Sequence, residues 1–384
     1  MSTTDGVTFH VSRNQLGALF LCAVSLSGIS CGHTQAATPV PINTVMQAVH
    51  EYGRGHQAVT PAPPKPTGVQ AAPAAELYDT DETYKAHLAA IFAQGDFVQL
   101  EKEAHEDRAG KARLRGGVWK LLVFYEGVSS PAGGTHAADS DWDDHIAAVK
   151  KWIIAYPDSA TARVALAETY LNYAWAARGG GYADSVSESG WELFGKRVVL
   201  AESTLVDAAK LKEKCPYWYE AMQQVALAQG WQKERARELL DQASAFEPTY
   251  YHFYREHANF LLAKWYGEEG DTQAFAEEMS ARLGDPDGSI LYFEIASLLA
   301  CQCDTDRDTL KGMSWPRVKQ GYADLQRLYG TSDLKMNRFA YMSYAAGDKS
   351  SAHDTFAMLG DSWNHLVWRS AQNFNSAKEW ASTP

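Results

Sequence analysis

The chain has 384 residues, of which 46% are hydrophobic and 21% are charged, a composition typical of globular proteins rather than disordered or membrane-spanning ones. Its 47 Asp and Glu residues outnumber its 35 Lys and Arg residues. This acidic balance argues against nonspecific binding to nucleic acid or anionic lipid, because both require a positive field. We therefore expect no nucleic-acid partner.

The first 31 residues carry the pattern of an export signal. An uncharged apolar run, LGALFLCAVSLSGIS, covers residues 16–30. It is about as long as a signal-peptide core and shorter than the roughly 20 residues of a membrane span. Cys31 resembles the lipidated cysteine of a bacterial lipoprotein, although Gly28 stands where leucine is usual, and cleavage near Ala36 is the alternative. Either route predicts an exported protein, periplasmic or anchored to the envelope membrane only through its N-terminal lipid.

Residues 32–76 are rich in alanine and proline, with PAPPKP at 61–66 and AAPAAE at 71–76. Proline fixes φ and removes a backbone donor, so this segment is expected to be an extended linker. A short helix fits only around residues 44–52. We expect the folded helical-repeat domain at residues 77–372, followed by a C-terminal tail at residues 373–384.

Four turns predict where helices pair. Each places a glycine between two helical patterns, and in three of them an aspartate follows. Glycine just past a helix end can adopt the left-handed conformation, and the aspartate can cap the next helix through its side-chain oxygen. These turns are Gln94-Gly95-Asp96, Gln229-Gly230-Trp231, Glu269-Gly270-Asp271 and Ala346-Gly347-Asp348.

Apolar residues between these turns recur at helical spacing. The segment at 118–128, VWKLLVFYEGV, is apolar enough for a strand, but its position between helix pairs favours a buried helix. No strongly alternating stretch bounded by hairpin turns occurs. The sequence therefore predicts an all-α fold, an irregular tetratricopeptide-like array of antiparallel helix pairs. The clearest apolar stripe consists of Ala236, Leu239, Leu240, Ala243 and Phe246.

The short motifs for metal or cofactor binding are incomplete. H-E-x-x-H begins at His50 and at His105 but lacks its second histidine in both places. Cys301 and Cys303 form a C-x-C without a second pair, which indicates free or disulfide-bonded cysteines, with Cys215 a candidate partner in an exported protein, rather than a zinc site. We expect no metal and no cofactor.

Several blocks of the chain resemble a family of bacterial envelope proteins defined only as a domain of unknown function, with tetratricopeptide-like helices. The resemblance spans roughly residues 77–300. It implies the fold and export, and it implies no reaction. The blocks are WKLLVFYEGV (119–128), NYAWAARGGGYADSVSESGWELF (172–194), CPYW (215–218), VALAQGW (225–231), EPTYYHFYREHANFLLAKWYGEEGD (247–271) and GDPDGSILYFEIA (284–296).

A binding surface is predicted around a long loop at residues 179–190 and a helix at residues 252–266. The loop spends about a dozen residues where a tight turn would suffice, and long loops within compact arrays are often functional. The helix carries aromatic side chains with polar tips on both sides. The candidate binding residues are Arg178, Tyr182, Trp191, Tyr254, Arg255, Trp265 and Tyr266.

These residues favour a non-catalytic module of the cell envelope whose concave surface holds an extended peptide or a partner protein. The alternative is an enzyme with its site between the loop and the helix, using Glu256, His257 or Asp184 as acid or base. It requires at least two of these three groups to converge on one pocket. A purely structural scaffold is the third hypothesis.

Overall fold

A computed structural model of the chain describes residues 40–54, 80–302 and 310–383. The predicted signal segment, its candidate lipidation site Cys31 and the C-x-C residue Cys303 lie outside the described residues, as does the side chain of Cys301. Cys215 is a buried free thiol, with its Sγ 3.2 Å from the hydroxyl of Tyr125.

The fold is all-α, as predicted. The described ranges contain seventeen α-helices and, outside them, one isolated bridge between Arg113 and Trp119. None of these helices is both long and apolar enough to cross a membrane. The first eight are α1 (Ile42–Arg54), α2 (Asp81–Gln94), α3 (Phe97–Gly110), α4 (Lys120–Val128), α5 (Asp139–Ala155), α6 (Ala160–Arg178), α7 (Glu188–Ala209) and α8 (Pro216–Gln229). The others are α9 (Lys233–Phe246), α10 (His252–Phe260), α11 (Asp271–Leu283), α12 (Asp287–Gln302), α13 (Trp315–Tyr329), α14 (Asp333–Ala345), α15 (Lys349–Leu359), α16 (His365–Trp368) and α17 (Ala371–Ser382).

The helices form two layers. Each even-numbered helix contacts the next even-numbered one, from α2 through α14 in sequence order. The odd-numbered helices pack beside them, as α7 does against both α6 and α8 and α9 against both α8 and α10. An array of helix pairs gives this arrangement, because each pair stacks its first helix on that of its neighbour. The even-numbered helices therefore make one continuous surface, which we call the even layer.

The predicted glycine turns form, with one difference. Gly95 has a φ of 68°, and Asp96 accepts a hydrogen bond of 3.0 Å from a backbone N–H of α3. Asp348 caps α15 in the same way. At the remaining Gly-Asp pair, the N-cap residue of α11 is Gly270, and Asp271 is already the first residue of the helix. The carboxylate of Asp271 instead accepts a hydrogen bond of 2.8 Å from the ammonium of Lys233.

Helix α1 lies inside the segment expected to be a linker, at the place where the sequence allowed a short helix. Its apolar residues Val45, Val49 and Tyr52 are fully buried against α7, α8 and α9. The ring of Tyr52 stacks on Trp218 with centroids 4.1 Å apart, and its hydroxyl donates to the carbonyl of Cys215 at 3.1 Å. The Ala/Pro-rich segment thus contributes one helix to the folded body.

The chain also stays folded beyond residue 372. Residues 373–382 of the expected C-terminal tail belong to α17, whose Phe374, Ala377 and Ala381 are buried in a second hydrophobic cluster with α14, α15 and α16. These three residues recur at i, i+3 and i+7, an apolar stripe that needs a partner.

Helix α10 ends earlier than the predicted helix at 252–266. It stops at Phe260, and the chain then folds back so that the backbone N–H of Tyr266 donates to the carbonyl of Phe260 at 3.2 Å. A Cβ at Gly267 would lie 1.7 Å from the carbonyl oxygen of Leu261. Because only glycine permits this approach, the turn depends on Gly267.

Candidate functional site

A cavity of about 480 Å³ opens on the even layer. Five consecutive even-numbered helices line it, α2, α4, α6, α8 and α10. Residues three, four or seven positions apart share one helix face, so each helix contributes a short polar stripe. Glu168 and Asn172 come from α6, and Tyr217, Glu220 and Gln224 come from α8.

Four glutamates line this cavity, which makes its wall acidic: Glu126, Glu168, Glu220 and Glu256. Only Glu126 has a lysine or arginine partner among the described residues, since its carboxylate lies 2.6 Å from the ammonium of Lys85. The three others have no such partner, and burial raises the pKa of each.

Glu168 is held by neutral donors. Its side chain is 5% exposed, and its carboxylate accepts hydrogen bonds from Gln224, at 3.1 Å, and from Tyr217. Burial disfavours the charged form and raises the pKa of Glu168 to about 7, despite these hydrogen bonds. The group is therefore half-ionised near neutral pH.

Glu220 is also buried, with 4% of its surface exposed, and its hydrogen-bond donor is a tyrosine. The hydroxyl of Tyr250 donates to its Oε2 at 2.7 Å, and Nδ1 of His252 lies 3.7 Å from Oε1, beyond hydrogen-bond range. Burial, and then the nearby charge of Glu256, raise the pKa of Glu220. Burial also lowers the pKa of His252 to about 3, so this histidine is neutral and supplies no positive charge.

A second cavity, of about 200 Å³, adjoins the first. Gln224 and Glu256 line both, so the two cavities adjoin at these side chains. The second is bounded by the indole rings of Trp175 and Trp265 and by Leu227. We call the two cavities together the groove, with an acidic end and an indole end.

Arg178 lies beside the indole end. Its guanidinium carbon is 5.5 Å from the ring centroid of Trp175, 5.2 Å from that of Trp191 and 5.7 Å from that of Trp265. It also donates to the backbone carbonyl of Gly181 at 3.0 Å. These cation–π contacts and the hydrogen bond fasten the loop after α6 to the wall of the groove.

Two of the predicted binding residues line the groove directly. Arg255 lines the acidic end and Trp265 the indole end, while Arg178 and Trp191 support the indole wall. Tyr182 projects from the loop with 76% of its surface exposed. Tyr266 is partly exposed, and its hydroxyl donates to the carbonyl of Leu227 at 3.0 Å.

Tyr254 differs from the prediction. It is 1% exposed, and its hydroxyl donates to the carbonyl of Pro248 at 3.0 Å. Two residues of helix rotate a side chain by about 200°, so Tyr254 faces away from the groove that Glu256 lines. It is a core residue of α10.

The three groups of the enzyme hypothesis do not meet in the groove. Glu256 lines it, but His257 is 4% exposed and lies against Phe275, with ring centroids 5.0 Å apart. Asp184 is exposed in the loop after α6. Within the described ranges, no group of three or more His, Cys, Asp or Glu residues is placed to hold a metal ion.

The acidic wall was missed at the level of sequence. Glu168 stands in ARVALAETYL and Glu220 in PYWYEAM, each a carboxyl among apolar residues of a helix. A glutamate is almost never fully buried unless it is paired. A glutamate at a core position of an apolar helical stripe is therefore the sequence signal that could have indicated both residues.

No protein-family model, curated protein or solved structure matches this chain. Its class is defined by its own helices: an all-α array of helix pairs whose even layer carries a groove with carboxyls at one end and indoles at the other. Its function is argued from that groove.

Proposed function

We propose that the protein is a non-catalytic binding module whose groove holds an extended peptide or an extended segment of a partner protein. The observation that carries the proposal is that the two cavities lie side by side and share Gln224 and Glu256 in their linings. Two adjoining cavities form an elongated site, and an elongated site suits a chain better than a compact metabolite.

The chemistry of the groove supports a peptide. Asn172, Gln224 and Asn259 line it with side-chain amides, of which Asn172 and Gln224 already donate to Ser129 and Glu168, and the indoles of Trp175 and Trp265 bound one end. An extended peptide exposes one N–H and one C=O per residue, which amides can pair, and it projects alternate side chains that pockets can hold. Indole rings supply large apolar contact area at low entropic cost.

The architecture supports the same ligand. Stacked helix pairs commonly bind partners on the surface formed by equivalent helices of successive pairs. The groove draws on five such helices, α2 to α10, so a bound chain would contact several pairs at once.

The proposed setting is the bacterial cell envelope. The support is the apolar run at residues 16–30 and the cysteine that follows it. Cell fractionation of the wild-type chain and of Cys31→Ser tests this part. We expect export of both and loss of membrane association only for the variant; retention of both chains in the cytoplasm would contradict it.

Selection from a random peptide library against the whole protein tests binding. We expect the selected peptides to lose about tenfold or more in affinity for Trp265→Ala, as loss of a central aromatic contact usually costs. Trp363→Ala is the matched control, since Trp363 is also partly exposed, 40%, and does not line the groove. Equal affinity for both variants, or the absence of any selected peptide, would overturn the proposal.

A further inference from the structure

We infer that the acidic end of the groove takes a basic side chain of the bound peptide, the ammonium of lysine or the guanidinium of arginine. The inference rests on the proposed function and names the ligand chemistry of the same site. A volume of about 480 Å³ lies within the range of ligand pockets, about 300 to 1,000 Å³.

The charges around the acidic end are unbalanced. Its two cationic side chains are both engaged by carboxylates, Lys85 by Glu126 at 2.6 Å and Arg255 by Glu294 at 3.1 Å. Glu294 does not line the cavity. Glu168, Glu220 and Glu256 therefore face the cavity without an ion pair to any lysine or arginine of the described chain. A cation entering the cavity would stabilise the ionised form of these carboxyls, which burial disfavours.

One atom points to the ligand independently of the charge count. Glu220 is 4% exposed, and within the described ranges its Oε1 receives no hydrogen bond, although Oε2 accepts one from Tyr250. The residue lines the cavity. This oxygen has no hydrogen-bond donor among the described residues, and an N–H group of a ligand placed in the cavity would give it one.

Other side chains of a peptide fit less well. An aspartate or glutamate would meet three carboxyls and be repelled, and an aliphatic group would leave those carboxyls desolvated and unpaired. The ammonium and the guanidinium both donate several hydrogen bonds to carboxylates and accept none. The acidic end therefore favours a positive donor.

Binding of a cation should release protons. The ionisable groups facing the cavity are Lys85 from α2, Glu126 from α4, Glu168 from α6, Tyr217 and Glu220 from α8, and His252, Arg255 and Glu256 from α10. Lys264, which follows α10, lines the adjoining cavity together with Glu256. Burial raises the pKa values of Glu168, Glu220 and Glu256, and a bound cation lowers them again by stabilising the carboxylates. Affinity for a basic side chain should consequently rise between pH 5 and pH 8.

Three synthetic peptide pools test the inference with the whole protein. They share randomised flanks and differ at one central position, which is lysine, norleucine or glutamate. At pH 8 we expect the lysine pool to bind with an affinity about tenfold higher, or more, than that of the norleucine pool, and the glutamate pool to bind weakest. At pH 5 the preference for lysine should be smaller.

Two variants locate the preference. Glu220→Gln and Glu256→Gln should each reduce the preference for lysine over norleucine several-fold, with the norleucine pool measured on the same variant as its reference. Glu256 is the less buried of the two, so its variant keeps the test valid if Glu220→Gln fails to fold. Equal binding of all pools would overturn this inference and leave the peptide-binding function standing. Binding of none would overturn both.

Discussion

Arg255 of α10 donates a hydrogen bond of 3.1 Å to the carboxylate of Glu294 in α12, and Lys335 of α14, the next even-numbered helix, contacts the same carboxylate. The side chains of Glu294 and Lys335 are each 6% exposed. Burial opposes ionisation of Glu294, but the two cations outweigh it and lower its pKa to about 2. This ionic contact joins three successive helices of the even layer and holds Arg255 in the wall of the groove.

Lys335→Met should destabilise the protein by about 3 kcal/mol, because removing one partner of a buried ion pair leaves charge uncompensated. Chemical denaturation measures the loss. Lys196→Met is the control, since Lys196 pairs with Glu192 on the surface, with both side chains more than half exposed. An equal effect of the two substitutions would show that the buried contact does not stabilise the even layer.

Stability should fall as pH rises through the range set by Glu168. Below its ordinary pKa of about 4.5 the carboxyl is protonated in both the unfolded and the folded state. Between there and about 7 the unfolded state loses its proton first, so unfolding becomes more favourable, and above pH 7 the penalty is complete.

Glu168→Gln removes this penalty. We expect the variant to gain stability relative to wild type between pH 5 and pH 8, by an amount on the order of 3 kcal/mol at most. Thermal unfolding at both pH values measures the difference. Glu192→Gln, on an exposed side chain, should show no such gain; a constant gap for Glu168→Gln would contradict the burial of that carboxyl.

Substitution of two helical glycines by alanine tests helix packing, and we expect the two changes in stability to have opposite signs. A Cβ at Gly321 in α13 would lie 2.0 Å from the carbonyl oxygen of Ser289 in α12, whereas a Cβ at Gly195 in α7 would meet nothing within 4 Å. Gly321→Ala should therefore destabilise the protein by about 2 kcal/mol or more. Gly195→Ala should stabilise it by about 1 kcal/mol, because alanine favours helix. The same sign for both would refute the close crossing of α12 and α13.

Helix α1 should detach when its aromatic contact is removed. Tyr52→Ala deletes the ring that stacks on Trp218 and the hydroxyl that binds Cys215. We expect hydrogen exchange of α1 amides to accelerate about tenfold or more, since Tyr52 is one of the fully buried side chains that hold α1 against the rest of the domain. Gln47→Ala, on the exposed face of α1, is the control. Unchanged exchange in Tyr52→Ala would mean that other contacts hold the helix.

The glycine turns and apolar stripes were enough to predict an all-α array of helix pairs, because both follow from local rules, but they did not predict α17 in the expected tail. Helix ends that depend on tertiary contact were not predictable in this way. The stop of α10 at Phe260 arises where the chain folds back at Gly267, and the place of α1 depends on a partner more than 150 residues away, as Tyr52 and Cys215 show by a separation of 163 positions.

The candidate site was predicted in part. The long loop and the aromatic segment drew attention to Arg178, Trp191, Arg255 and Trp265, which surround the groove. The acidic wall required knowledge of which helices meet, because its carboxyls come from α4, α6, α8 and α10 and no local motif joins them.

The most direct measurement is a titration followed by the indole N–H resonances of the tryptophans. On addition of a selected peptide, the resonances of Trp175 and Trp265 should shift in a saturable manner, because these rings bound the groove. Trp363 and Trp380, in the C-terminal region, should not respond. Shifts confined to Trp363 and Trp380, with Trp175 and Trp265 unchanged, would contradict a peptide site on the even layer.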